Sequence, residues 1–200
     1  MGSYIGMGLV YNGIPENGLE SELKNVVNFL ISHNGSINNI KFSKDRHGNE
    51  WTETIIDNKE NENFYSYLSN GYFGQLHLIC NILSIQKLNV YIRIEKNKNF
   101  FGLLLDISEE ELIGTASIED IGKITDNIIE FLNELYGFTV FAYAFCDNEA
   151  EIQYSPIEFQ SQSLNEDIYS IVAIPDLENK NKLKIIKSNW HIDGLTTRII

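Results

Sequence analysis

The side chains able to do chemistry in this chain are two cysteines, four histidines and 28 carboxylates. Cys80 stands three residues from His77 in a strand-like stretch. Alternation along a strand sends that pair to opposite faces, so the two do not make a thiolate with its base. His33, His47, His77 and His191 do not recur at a spacing that sets two ligands on one helical face. Neither Cys80 nor Cys146 has a second cysteine two to four residues away. No metal site is therefore expected. The chain has no nucleophile elbow, no phosphate-binding lysine loop and no dinucleotide turn. Gly6 and Gly8 lie within an apolar strand and lack a third glycine before the next helix, which makes them packing glycines. No cofactor is expected. Both cysteines sit in apolar runs and read as buried thiols of a reducing compartment, with one disulfide as the other reading.

The carboxylates cluster at Glu109-Glu110-Glu111, at Glu119-Asp120 and from Asp147 to Glu151. An acid–base pair needs two carboxylates facing each other in different surroundings, whereas consecutive acids mostly point apart and stay hydrated. Their distribution is more telling. The chain carries a net charge of −13, yet Asn99 to Asn179 holds 17 acids and one base, Lys123, while the rest holds 11 acids and 14 bases. One segment bears the whole imbalance. Such a field repels nucleic acid and anionic membrane, and it suits a partner with a basic surface. A helix over this segment turns Glu119, Asp126, Glu130 and Glu134 outward. With Asp147, Glu149 and Glu151 they form the candidate partner-binding set. The plain alternative is a hydrated acidic face that serves solubility.

The elements that must position these groups follow from periodicity. Tyr4 to Tyr11 reads as a buried strand. A helix capped by Asn17 presents Leu19, Leu23, Val26, Val27, Leu30 and Ile31 on one face before Gly35. Ile37 to Ser43 and Trp51 to Ile56 read as a hairpin joined by a charged loop, with a weaker helix over Asp57 to Asn70. Gln75 to Ile82, Asn89 to Glu95 and Phe100 to Ile107 are strand-like, the last two joined by Lys96-Asn97-Lys98-Asn99. The best-defined helix has Ser117 as N-cap, Asp120 three residues on, and Gly137 as terminator. Strands are expected over Phe138 to Phe145, Ile168 to Ile174 and Leu183 to Ile186. Trp190 is expected to be largely buried and to anchor the end of the chain, with a turn at Asp193-Gly194. The fold class is α+β: a single domain over residues 1–200, mainly antiparallel sheet with two long packed helices.

A hydrophobic fraction of 43% is enough for a sizeable core, and the longest apolar runs fall far short of the ~20 residues of a membrane span. The opening Met1-Gly2-Ser3-Tyr4 lacks a basic stretch followed by an apolar one, so a cytoplasmic location without a membrane partner is expected.

The opening Tyr4-Ile5-Gly6-Met7-Gly8-Leu9-Val10-Tyr11 and the closing Trp190-His191-Ile192-Asp193-Gly194-Leu195-Thr196-Thr197-Arg198 together resemble a family of bacterial immunity proteins. These are small proteins encoded beside polymorphic or contact-dependent toxins. The resemblance implies a cytoplasmic antitoxin that binds its cognate toxin domain, blocks the toxin's active site and is no enzyme itself. It carries over no catalytic residue. A nuclease toxin would need a cationic cleft for phosphate, which an acidic inhibitor would complement. Two alternatives belong to other classes: a hydrolase using dispersed carboxylates such as Asp106, Asp147 or Glu149, and a regulatory domain binding a small ligand in an apolar pocket.

Overall fold

The computed structural model describes residues 2–56, 64–161, 168–179 and 182–198. In chain order its elements are β1 (Tyr4–Asn12), α1 (Pro15–Ser32), β2 (Ser36–Ser43), β3 (Trp51–Ile55), α2 (Phe64–Asn70), β4 (Phe73–Ile82), β5 (Ile85–Lys96), β6 (Phe100–Ser108), α3 (Glu109–Leu112), α4 (Ile118–Tyr136), β7 (Tyr143–Asn148), α5 (Pro156–Ser161), β8 (Ile171–Pro175) and β9 (Leu183–Lys187). The strands form one nine-stranded sheet in the order β3-β2-β4-β5-β6-β1-β7-β8-β9. Every described pairing is antiparallel. The fold is α+β, as the strand spacing predicts.

α1, α2 and α4 cover one face of the sheet, here called the inner face. Ile5, Met7 and Leu9 of β1 and Leu103, Leu105 and Ile107 of β6 point into the same core as Leu23, Val27 and Leu30 of α1 and Ile128, Leu132 and Leu135 of α4. α2 lies over β2 and β4, α1 over the middle strands, and α4 towards β9. The two long helices meet through Phe29 and Phe131, ring centroids 5.5 Å apart, and His33 approaches Glu134 at 3.8 Å. The helix on which α1 packs most extensively is α2.

Local chemistry sets the helix ends. Ser117 caps α4, accepting from the Asp120 amide at 3.2 Å while donating to the Asp120 carboxylate at 2.6 Å. α1 begins earlier than expected: Ile14 is its N-cap and Pro15 its first residue, where a missing N–H costs nothing and φ is already helical. Asn17 therefore lies inside the first turn. At the other end Asn34 takes φ 56°, and the Gly35 amide donates to the Leu30 carbonyl at 3.1 Å. A Cβ on Gly35 would lie 2.4 Å from that oxygen, so only glycine closes the helix here.

Two other expectations are displaced. The strand expected over Phe138 to Phe145 begins only at Tyr143, because the chain first has to descend from α4. Val140 is exposed on the way down, while Phe141 is buried and Thr139 takes the Tyr11 hydroxyl at 2.8 Å. The expected helix over Asp57 to Asn70 is seen from Phe64 onward, and its earlier residues lie outside those described. No described helix is long and apolar enough to cross a membrane.

Candidate functional site

The outer face of the sheet is divided. Over β6, β1, β7 and β8 it carries a second apolar layer of Val10, Leu104, Tyr143, Phe145, Ala150, Phe159, Tyr169 and Val172. Glycines make room for that layer. The Phe145 ring crosses β1 at Gly8, where an added Cβ would lie 2.2 Å from it, and Ile152 crosses β6 at Gly102 in the same way at 2.1 Å. Phe145 stacks on Tyr169 at 3.9 Å and Tyr143 on Phe159 at 4.0 Å. The Tyr143 hydroxyl donates to the Tyr154 carbonyl at 2.6 Å, and the Tyr169 hydroxyl donates to the Glu151 carbonyl at 2.8 Å.

No described element covers the outer face over β3, β2, β4 and β5. Register places Glu53, Lys41, Gln75 and Arg93 in one cross-strand row there, with Ile55, Asn39, His77 and Tyr91 in the next. Trp51 and Phe73 are 45% and 44% exposed and stack at 6.1 Å, and Ile55 is 78% exposed. The charged hairpin loop is built to hold the indole. Asp45 accepts from the His47 amide at 2.9 Å and the Glu50 amide at 2.6 Å, and Trp51 Nε1 donates to the Gly48 carbonyl at 2.7 Å. Lys41 Nζ stands 4.9 Å from the Trp51 ring. Beside this patch a groove of about 430 Å³ is lined by Trp51, Tyr72, Phe73, Gln75, Arg93 and Glu95, among others.

Arg93 is the electrostatic centre of this face. It forks onto Asp106, with the closer bond at Nε and a second at Nη2 of 3.3 Å. Nη1 reaches Glu151 at 3.1 Å and stands 3.9 Å from Glu95. One guanidinium thus serves three carboxylates. Partial burial, reinforced by the hydrogen-bonded neighbour Glu151, pushes the Glu95 carboxyl up to about 7. Further along the face Asn38 donates to His77 Nδ1 at 2.9 Å, His77 Nε2 donates to Asn89 at 2.9 Å, and Asn89 donates to Glu111 at 2.9 Å. His77 stacks on Tyr91 at 4.4 Å.

The seven carboxylates singled out in the sequence do not fall on one face. Glu119, Asp126, Glu130 and Glu134 are all exposed on α4, on the inner side of the sheet. Glu119 pairs with Lys123 at 3.0 Å and Asp126 with Lys187 at 3.1 Å. Glu149 and Glu151 flank Ala150, which belongs to the outer layer. Asp147 is half-buried, and its oxygens accept from Trp190 Nε1 at 3.1 Å and the Ser170 amide at 3.0 Å. It braces the end of the chain. Phe73, Arg93 and Glu95 are not among the residues the sequence singles out. The signal for Arg93 and Glu95 is the strict alternation Leu88, Val90, Ile92, Ile94 against Asn89, Tyr91, Arg93, Glu95, which marks a strand with one face left open.

The closing segment is a folded clasp. Asp193 accepts from the Leu195 and Thr196 amides, each at 3.1 Å, with Gly194 at φ 68°. Arg198 donates to the Ser188 carbonyl at 2.6 Å and the Ser170 carbonyl at 3.0 Å. Trp190 is half-buried rather than enclosed, because its indole N–H is held at the rim by Asp147; the fully buried anchor is Ile192. A further cavity of about 420 Å³ lies at the start of α1, beside Tyr11, Phe101, Glu22 and Phe141. Two of its lining groups, Tyr11 and Glu22, are bridged by the Thr139 hydroxyl.

Cys80 points into the inner core while His77 lies on the outer face, and burial pushes the Cys80 thiol up to about 12. Three strands separate β4 from β7, and both cysteines are free, so the disulfide reading falls. Among the described residues no group of three His, Cys, Asp or Glu side chains is arranged to hold a metal ion.

The family model described as Immunity protein 64 matches residues 1–198. No curated protein and no solved structure matches the chain.

Proposed function

Because the chain belongs to the Immunity protein 64 family, we propose that it is a cytoplasmic antitoxin that binds a cognate toxin domain and blocks it without catalysis of its own. Residues 1–200 act as one domain in this role. The observation that supports an interaction surface is the bare half of the sheet, where Trp51, Ile55 and Phe73 stand exposed among charged groups. Aromatic side chains ringed by polar ones are the usual make-up of an interface centre, and isolated monomers rarely leave such a patch uncovered. The acidic balance of residues 99–179 supports a toxin with a basic surface, such as a nuclease whose cleft must hold phosphate.

The test is kinetic. The protein is mixed with the product of the neighbouring gene at low and high ionic strength, and again after charge reversal at Glu149 and Glu151. Asp147 is left intact because it braces Trp190. Association slows roughly tenfold or more at high salt, and slows also in the variant, while dissociation changes less. Absence of a complex contradicts the reading.

One observation favours the hydrolase alternative: Glu95, held up to about 7, lines a groove and has a second carboxylate, Glu151, as its hydrogen-bonded neighbour. Turnover of a small substrate by the purified protein alone would establish that alternative. A protein inert on its own and active only as a stoichiometric inhibitor supports the antitoxin.

A further inference from the structure

We infer that the groove between Trp51, Phe73 and Glu95 receives an arginine side chain of the toxin, its guanidinium stacking on the aromatic rings and pairing with the Glu95 carboxylate. This rests on the antitoxin reading above and names the chemistry by which the partner is recognised.

Three features converge on a planar cation. The groove has room for a side chain, about 430 Å³, and its aromatic wall is exposed. The indole already attracts a cation, since Lys41 Nζ stands 4.9 Å from its ring. The local charge is also unbalanced. Arg93 is shared among Asp106, Glu151 and Glu95, and Glu95 receives the weakest part of it at 3.9 Å. The other cation lining the groove, Lys96, donates to the Leu68 carbonyl at 3.1 Å and the Ser69 carbonyl at 2.6 Å at the end of α2, so Glu95 has only its share of Arg93. Arginine fits better than lysine: its flat fork can stack and bond a carboxylate through two donors together, while an ammonium offers a point charge.

Proton linkage gives the pairing a signature. The charged and titratable groups facing Glu95 are Arg93 on its own strand, Asp106 on β6, Glu151 in the segment after β7, and Tyr169 before β8. Their balance leaves Glu95 partly protonated at neutral pH. A guanidinium binds the ionised form, so docking expels the proton and affinity rises with pH through that range.

Two measurements test this. In the first, N-acetyl-arginine methylamide and its neutral citrulline counterpart are titrated into the labelled protein and followed by NMR. The Trp51 indole and the amides near Phe73 and Glu95 shift with the arginine compound and not with citrulline, and Glu95→Gln abolishes the difference. Equal responses to the two compounds, or none to either, overturn the inference. In the second, the dissociation constant for the neighbouring toxin domain is measured. Glu95→Gln and Trp51→Ala each weaken it about tenfold or more. The unaltered protein binds about tenfold more tightly at pH 8 than at pH 6, and Glu95→Gln removes that dependence. A complex equally tight in both variants overturns the groove and leaves the antitoxin standing. Uptake of the arginine compound with no complex overturns the toxin as occupant.

Discussion

The two halves of the sheet share one inner core and differ on the outer face. Over β1, β6 and β7 the outward residues are mostly glycine or apolar, Gly6, Gly8, Gly102, Val10, Leu104 and Phe145, with Asp106 and Asp147 as the polar exceptions, and the segment that carries Ile152 and α5 packs down on them. Over β2, β4 and β5 the corresponding positions are Lys41, Gln75, His77, Tyr91, Arg93 and Glu95, and no described element covers them. Gly8, Leu104, Arg93 and Gln75 are successive members of one cross-strand row, so the change from closed to open falls between β6 and β5. A face that buries itself contributes stability; a face left polar and aromatic is free to meet a partner. The contrast assigns folding to one half of the outer face and recognition to the other.

Substitution along that row tests the contrast. Gly8→Val drives two methyl groups into the space the Phe145 ring occupies, and urea unfolding should show a loss of about 3 kcal/mol or failure to fold. Gln75→Val, on the same face three strands away, should change stability by less than about 0.5 kcal/mol. Equal losses would mean that the open half is covered after all.

A smaller effect comes from Glu95. Its carboxyl is raised from the ordinary value of 4.5 to about 7 in the folded protein, so folding holds a proton that the unfolded chain releases. Stability from this group is fully present below about 4.5 and is lost as pH rises through about 7. Glu95→Gln should therefore be more stable than the parent at pH 8, with a smaller difference at pH 5. Parallel stability curves for the two proteins over that range would show that Glu95 is not desolvated on this face.

Much of this division was legible in the sequence. Continuous apolar runs at Tyr4 to Tyr11 and Phe100 to Leu105 are what strands buried on both faces require, and the alternation through β4 and β5 is what one-sided burial leaves. The Ser117 cap and the Asp193-Gly194 turn were readable because a single side chain dictates each. The candidate site was less so. Charge counting drew attention to α4 and to Asp147 to Glu151, but counting cannot tell a carboxylate facing solvent from one such as Asp147 that is occupied by a distant indole. Nor could it join Arg93 to Asp106 and Glu151, which are neighbours only through strand order and the crossing of the 149–154 segment. Trp51 follows directly on the charged hairpin loop, yet its pairing with Phe73 depends on β3 and β4 both bonding to β2.

The central claim is that recognition belongs to the open half of the sheet. Backbone hydrogen exchange, measured on the protein alone and in complex with the toxin domain encoded beside it, tests this most directly. β3 is an edge strand and the 44–50 loop is solvent-facing, so both should exchange quickly in the free protein. On complex formation they should slow markedly, together with the Phe73 end of β4, while the exposed side of α4 stays unchanged. Slowing confined to α4, with Trp51–Ile55 exchanging as before, would contradict the account.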